Sequence, residues 1–272
     1  MGAATLPANG IEICVETFGE RIDPPLLLIA GGASSMDWWE DEFCRRLAAG
    51  GRYVIRYDHR DTGRSTCFPA GAPPYSTQDM ADDALGLLDA LGTHRAHIVG
   101  LSLGSGLAQR IAVERPERVR TLTLMAAGPE AGGQHNGAPA SRDDTDWKDR
   151  TVAVDRIVAD TLNRAGPLTF DEGHFRRLAE RAFDRTTDMA ATQTNHWLAA
   201  PGAPIRGRLG EITAPTLILH GTQDPLFPLA QAQALEREIP EATLVTLTGV
   251  GHEFPPRVVW DVVLTLILDH TA

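Results

Sequence analysis

The chain has 272 residues, of which 43% are hydrophobic, which is enough for one full core with a modest insertion and too little for two large independent domains. A net charge of -11 and the lack of any run of Lys or Arg argue against a surface that follows a phosphate backbone, so we expect no nucleic-acid partner. No window contains the roughly 18 apolar residues of a membrane span, and the first residues lack an export signal, so we expect a cytoplasmic protein with no membrane partner.

Short apolar segments rich in Val, Ile and Leu alternate along the chain with segments of helical periodicity. The segments with strand character are 11–18, 26–30, 53–57, 96–101, 119–125, 216–220 and 243–247. The helical segments between them are 37–49, 78–91, 103–114, 229–239 and 256–270. Parallel neighbours in a sheet need a crossover, and a helix is the usual one. The alternation therefore predicts an α/β fold, with a mostly parallel, buried central sheet and helices on both faces.

The alternation breaks between about residues 128 and 211. No good strand occurs there, and three amphipathic helices are predicted at 144–164, 170–187 and 189–199. The stretch before them is rich in Gly, Ala and polar residues, which is typical of a mobile link. We predict a core formed by residues 1–128 and 211–272, with residues 129–210 inserted as a helical lid.

A nucleophile motif lies between one predicted strand and the next helix. The sequence Gly100-Leu101-Ser102-Leu103-Gly104 places a serine on a tight strand-to-helix turn, where side chains at the two glycine positions would collide with neighbouring elements. Chance explains the motif poorly, since seven serines flanked by glycines at a frequency of 26 in 272 give about 0.07 matches. Ser102 is the predicted nucleophile.

A serine hydroxyl needs a histidine base, and the histidine needs a carboxylate to orient it. Asp224 follows the strand at 216–220, and His252 follows the last strand in a loop flanked by glycines. Loops at the carboxyl ends of parallel strands meet at one edge of the sheet. We therefore predict a triad of Ser102, Asp224 and His252.

Three other residues are alternatives or rivals for these roles. Glu130 is the alternative acid, because some serine hydrolases carry the acid one strand earlier. His59 lies near the expected mouth of the site, where it could contact substrate, although a position in a surface loop is favoured. His220 is expected to be a packed residue at the end of a strand.

The oxyanion formed during attack on a carbonyl needs two backbone N–H donors. Leu103, directly after the nucleophile, supplies one. The other is expected from the glycine pair after the strand at 26–30, where Gly32 is the choice and Ala33 the neighbouring possibility. Trp38 and Trp39 follow this loop and either line the pocket or pack in the core.

No metal site and no cofactor are predicted. Cys14, Cys44 and Cys67 are widely spaced and odd in number, which fits neither a disulfide framework nor paired metal ligands. Helical H-E-x-x-H spacing and a P-loop are both absent from the sequence.

Five segments follow one another with the order and spacing of the α/β-hydrolase superfamily. They are PLLLIAGG, RYDHRDTGRS, HIVGLSLGSG, PTLILHGTQDPLFP and GVGHEFP. Within the superfamily, the chain resembles aclacinomycin methylesterase and related anthracycline-pathway esterases, which have a similar stretch at residues 56–65 and a Gly-Gly pair in the oxyanion loop. The resemblance implies the same triad that the residue pattern predicts.

The predicted function is cleavage of a small-molecule carboxylic ester through an acyl-enzyme, with a polyketide methyl ester as the more specific hypothesis. Acyl transfer, lactone or thioester hydrolysis and cofactor-free perhydrolysis would use the same residues. A ligand-binding protein without catalysis is a further alternative. Epoxide and haloalkane hydrolases carry a carboxylate nucleophile, so Ser102 argues against them. The sequence indicates no oligomeric state.

Overall fold

A single mixed sheet runs through the computed structural model, which describes residues 2–129, 144–167, 169 and 171–272. Its strands are β1 (Ala4–Ala8), β2 (Ile11–Phe18), β3 (Pro25–Ile29), β4 (Tyr53–Tyr57), β5 (Ala96–Leu101), β6 (Val119–Met125), β7 (Thr216–Gly221) and β8 (Thr243–Leu247). They are ordered β1-β2-β4-β3-β5-β6-β7-β8. All neighbours from β4 to β8 are parallel, so the predicted α/β class is confirmed.

The first two strands depart from the prediction. β1 was not predicted, and β2 is antiparallel both to β1 and to β4 rather than parallel. Asn9 and Gly10 connect β1 to β2 with φ values of 48° and 78°, and an Asn-Gly pair is a strong hairpin signal. β1 is mostly exposed, and for that reason its sequence lacks an apolar run. β8 is also partly exposed, since it forms the other edge of the sheet.

Helices cover both faces of the sheet. They are α1 (Asp41–Ala49), α2 (Thr77–Ala90), α3 (Leu103–Glu114), α4 (Arg150–Leu162), α5 (Glu172–Arg185), α6 (Met189–Leu198), α7 (Leu229–Glu238) and α8 (Trp260–His270). Leu27 and Ile29 of β3 pack in the core with α2, α3 and α7, while Leu26 and Leu28 pack in the core with α1 and α8. Alternate side chains of a strand point to opposite faces, which divides the interior into two cores.

Several helix starts differ from the prediction by a few residues, including α4, which begins at Arg150 rather than at 144, and one start is confirmed in detail. Ser76 accepts a hydrogen bond from the Asp79 N–H while the Asp79 carboxylate accepts from the Ser76 N–H, which is the predicted capping box. The predicted helix at 37–49 begins only at Asp41, after a short 3-10 turn. α8 begins at Trp260, after another 3-10 turn at Arg257–Val259.

Helices α4, α5 and α6 occupy the predicted lid segment. α4 and α5 share a small apolar cluster centred on Val154 and Ala179. α5 is also tied to the core by Arg185, whose Nε lies 2.7 Å from Asp37 Oδ2 and whose Nη2 lies 2.5 Å from Asp58 Oδ1. Most of the predicted mobile link lies outside the described residues. Within them, no helix combines the length and apolarity needed to span a bilayer.

Candidate active site

Ser102 stands at the sharp turn between β5 and α3. Its backbone has a φ of 53° and a ψ of -116°, a conformation that few non-glycine residues adopt. A Cβ atom at Gly100 would overlap the Gly104 carbonyl, and one at Gly104 would overlap the carbonyls of Ile29 and Ala30. These contacts are the physical reason for both glycines of the motif.

The three predicted triad residues are joined by hydrogen bonds. Ser102 Oγ lies 2.8 Å from Nε2 of His252, and Nδ1 of His252 lies 2.8 Å from Asp224 Oδ2. A carboxylate accepts only, so Nδ1 donates to Asp224 and Nε2 is left to accept from the serine hydroxyl. The Asp224 Oδ1 accepts from the N–H groups of Leu226 and Phe227, each at 2.8 Å.

Two opposing effects act on the pKa of Asp224. Burial raises the pKa. The hydrogen bond and charge interaction with His252, together with the hydrogen bonds from two backbone N–H groups, lower it by more and hold the pKa below its usual range. The carboxylate is thus ionised at neutral pH and suited to orient an imidazolium. Glu130, the alternative acid, lies outside the described residues.

The loop that carries His252 is held by the connection between α4 and α5. The His252 N–H donates to the Arg164 carbonyl at 2.7 Å. The Oε1 of buried Glu253 accepts from the Gly166 N–H at 2.8 Å and from the Thr169 hydroxyl at 2.6 Å. The predicted lid segment therefore contacts the loop of the predicted base directly.

The loop after β3 lies beside the nucleophile. A Cβ atom at Gly31 would lie 3.7 Å from Ser102 Cβ. The Ala33 N–H donates to Nδ1 of His196 in α6 at 3.0 Å, so it is not available to donate to an oxyanion. Among the described residues, neither the Gly32 N–H nor the Leu103 N–H has an acceptor. Of the two possibilities left by the sequence, Gly32 therefore stays as the expected second donor.

The two tryptophans after this loop differ in how deeply they are buried. Trp39 is a core residue, almost fully buried between Phe43 and Phe254. Trp38 stacks on Phe254 and contacts Phe175 of α5. Both tryptophans line a cavity of about 230 Å³ that extends to the loop after His252. None of the three triad residues lines this cavity.

The structure places the other two histidines named in the sequence analysis, His59 and His220, in the interior. His59 is buried, and its Nε2 lies 3.0 Å from the Ala30 carbonyl, so the predicted surface position is wrong. The loop after β4 folds inward, because Asp58, at its start, is buried and forms an ion pair with Arg185. His220 is fully buried at the end of β7 with Nε2 2.8 Å from the Phe227 carbonyl, which confirms the packed-residue interpretation.

The buried His59 predicts an acid-dependent loss of stability. Burial lowers the pKa of His59 from 6.5 to about 3, with a smaller contribution from His196. Below pH 6.5 the unfolded chain therefore binds a proton that the folded chain does not, and folding stability falls as the pH drops. Relative to His59→Gln, which keeps a donor for the Ala30 carbonyl, the wild type should lose about 2 kcal/mol between pH 6.5 and 5. Urea unfolding of both proteins at both pH values measures the difference. An equal loss of stability in the wild type and in His59→Gln would contradict the prediction.

Comparison with known proteins shows the family to which the chain belongs. The family described as alpha/beta hydrolase fold matches residues 24–255. The chain belongs to the α/β-hydrolase family. Within this family it is 34% identical to rhodomycin D methylesterase DauP of Streptomyces sp. (strain C5), over 94% of this chain and 93% of the relative. It is 33% identical to rhodomycin D methylesterase DnrP of Streptomyces peucetius, over 90% of each chain.

A solved structure shows how far the α/β-hydrolase fold extends along the chain. The enol-lactonase from Burkholderia xenovorans LB400 superposes with a TM-score of 0.77 and covers 98% of this chain and 99% of its own, at 22% identity. Identity this low supports the fold alone. The resemblance to anthracycline-pathway esterases that the sequence motifs indicate is confirmed by the two methylesterases.

Sequence reasoning missed several residues around the site of this α/β-hydrolase. No motif singles out His196, although its Nδ1 accepts a hydrogen bond from the Ala33 N–H. Glu253 was overlooked, although its place next to His252 was a usable signal. Asp58 was used only as part of a family motif, and the structure gives its purpose: it accepts from the N–H groups of Met36 and Arg64, which fixes the loops after β3 and β4 together.

In the described part of the chain, no three His, Cys, Asp or Glu side chains are grouped as metal ligands would be.

Proposed function

We propose that this protein hydrolyses a carboxylic ester through a covalent acyl-enzyme, with Ser102 as nucleophile, His252 as general base and Asp224 as the orienting acid. The observation that carries the proposal is the unbroken hydrogen-bonded series from Ser102 Oγ through both nitrogens of His252 to Asp224, with both distances at 2.8 Å. A structural serine has no need of a base in this arrangement.

The steps follow from the proposed roles. Ser102 Oγ attacks the ester carbonyl as Nε2 of His252 takes its proton, and Asp224 stabilises the imidazolium. The N–H groups of Gly32 and Leu103 receive the oxyanion. Collapse expels the alcohol, which takes the proton from Nε2. Water, activated by the same nitrogen, then attacks the acyl-enzyme and releases the carboxylic acid.

The proposed substrate is a methyl ester of a polyketide-like small molecule. Two methylesterase relatives covering nearly the whole chain support this class. We further propose that residues 129–210 act as the lid that shapes the pocket, since α6 contacts the loop after β3 and the connection between α4 and α5 contacts the loop of His252. A cytoplasmic location is proposed because Cys14, Cys44 and Cys67 are free thiols, as is usual in reducing compartments.

Two measurements on the wild-type protein test the ester hydrolase proposal. An active-site fluorophosphonate should label the peptide that contains Ser102, with a stoichiometry of one, and aromatic polyketide methyl esters should be hydrolysed alongside short p-nitrophenyl esters. Preincubation with the label should abolish both activities in parallel. Absence of turnover on every ester together with absence of labelling would contradict the proposal and favour the ligand-binding alternative.

A further inference from the structure

A side chain from α6 holds the loop after β3. The Ala33 N–H lies 3.0 Å from Nδ1 of His196, and Nε2 of the same ring lies 2.8 Å from the Arg60 carbonyl oxygen. A backbone N–H only donates and a carbonyl only accepts, so both bonds form only when the imidazole is neutral with its hydrogen on Nε2. The buried ring thus links the loop after β3 to the loop after β4.

The ring has little freedom to move, because its neighbours in α6 are anchored to the loop after β4. The Asn195 amide donates to Asp61 Oδ2 at 3.0 Å and accepts from the Gly71 N–H at 2.8 Å. The Thr192 hydroxyl donates to the Asp61 carbonyl. These bonds set the position of α6 and hence the position of His196 Nδ1, the acceptor of the Ala33 N–H.

The backbone of the loop after β3 depends on that acceptor. Ala33 has a φ of 56°, a left-handed conformation that costs a residue with a Cβ atom free energy. Gly32, directly before it, has almost no intrinsic backbone preference. The peptide plane between the two residues is fixed by the bond to His196, and the Trp197 ring covers Gly32 so closely that a Cβ there would lie 2.6 Å from Cη2.

We propose that His196 is a positioning residue for the oxyanion hole: its Nδ1 holds the Ala33 N–H and thereby keeps the Gly32 N–H directed at the developing oxyanion. The inference rests on the proposed function, because only an acyl-transfer reaction develops charge at that point. His196 itself touches no reacting atom. Its loss acts through the loop, which relaxes once the acceptor has gone and removes one of the two donors.

Amide variants separate the two nitrogens of the ring. His196→Asn keeps an acceptor oxygen close to the Nδ1 position, whereas His196→Gln places its amide at the Nε2 end and lacks that acceptor. His196→Met fills the space but provides neither an acceptor at the Nδ1 position nor an amide at the Nε2 end. It replaces the Gln variant if that variant does not fold. Ile239→Val is the control, because it removes one methyl group from the buried core at the end of α7 and lies outside both α6 and the loop after β3. Circular dichroism checks the fold of each variant.

Steady-state kinetics and hydrogen exchange are then measured on the same variants with one p-nitrophenyl ester. We expect kcat to fall about 100-fold in His196→Gln with little change in KM, which is the effect of losing one oxyanion donor. Exchange of the peptide covering residues 31–36 should rise in the same variant. His196→Asn should retain most of kcat and wild-type exchange, and Ile239→Val should lose stability with kcat and exchange at residues 31–36 unchanged.

Equal losses of kcat in the Asn and Gln variants with unchanged exchange at residues 31–36 would overturn the inference, because the ring would then have only a packing role. Unchanged kcat in both variants would overturn it as well. Failure of the proposed function is a different result: turnover would survive Ser102→Ala, while the exchange data would still report whether His196 holds the loop.

Discussion

Replacement of Ser102 by alanine is expected to lower kcat for ester hydrolysis by about 10⁶-fold, on the scale seen when one member of a serine, histidine and aspartate unit is removed. The acyl-enzyme cannot form without Oγ, so only the binding and oxyanion contributions remain. KM should change little, because the hydroxyl contributes to the transition state far more than to ground-state binding.

Two companion variants make the result specific. Asp224→Asn keeps the shape of the triad but removes the carboxylate that receives the Nδ1 hydrogen of His252, and kcat should fall by about 10⁴-fold. Ser76→Ala removes the cap of α2, away from the site, and should cost about 1 kcal/mol of stability with kcat unchanged. Each kcat is measured with a p-nitrophenyl ester. Activity of Ser102→Ala near that of the wild type would exclude Ser102 as the nucleophile.

Replacement of Arg185 by methionine is expected to reduce the free energy of unfolding by about 3 to 5 kcal/mol. The guanidinium binds Asp58 through two nitrogens and Asp37 through the third, and both carboxylates are almost fully buried. Met fills a similar volume but leaves both anions without their shared cation. The remaining donors to Asp58, the N–H groups of Met36 and Arg64, offset only part of the cost.

Arg181 provides the matched control, one helical turn earlier in α5. Its Nε lies 2.9 Å from Asp37 Oδ1, but its side chain is 46% exposed, against 12% for Arg185. An exposed ion pair contributes little, so Arg181→Met should cost about 1 kcal/mol or less. Urea unfolding followed by circular dichroism measures both variants. Equal losses in the two would mean that burial does not govern the strength of this network.

The proposed active site is assembled from two parts of the chain. The triad residues follow β5, β7 and β8, while the loops that hold the oxyanion donor and His252 are contacted by the predicted lid segment. Arg185 joins the same segment to the core. A structural change in α5 or α6 would therefore reach the catalytic loops, and we expect variants there to affect kcat as well as substrate preference.

Features that depend on neighbouring residues can be predicted from the sequence alone. Gly100 follows from steric exclusion by the Gly104 carbonyl four residues later, and the capping box at Ser76 follows from local hydrogen bonding, whereas the exclusion at Gly104 comes from the carbonyls of Ile29 and Ala30 at the end of the neighbouring strand. The periodicity of apolar residues was sufficient for the α/β class, because it records which faces are buried. Asp224 and His252 could be predicted because the carboxyl ends of parallel strands share one edge of the sheet.

The distant side chains that complete these local features are fixed by the tertiary fold and could not be predicted. His196 lies 163 residues from Ala33, and Arg185 lies 127 residues from Asp58, so no sequence period relates the partners. The burial of His59 and the pairing of β1 likewise depend on how the loops and the sheet edge pack. Such contacts form wherever the folded chain places a donor beside an unmet acceptor, and that placement is a property of the whole fold.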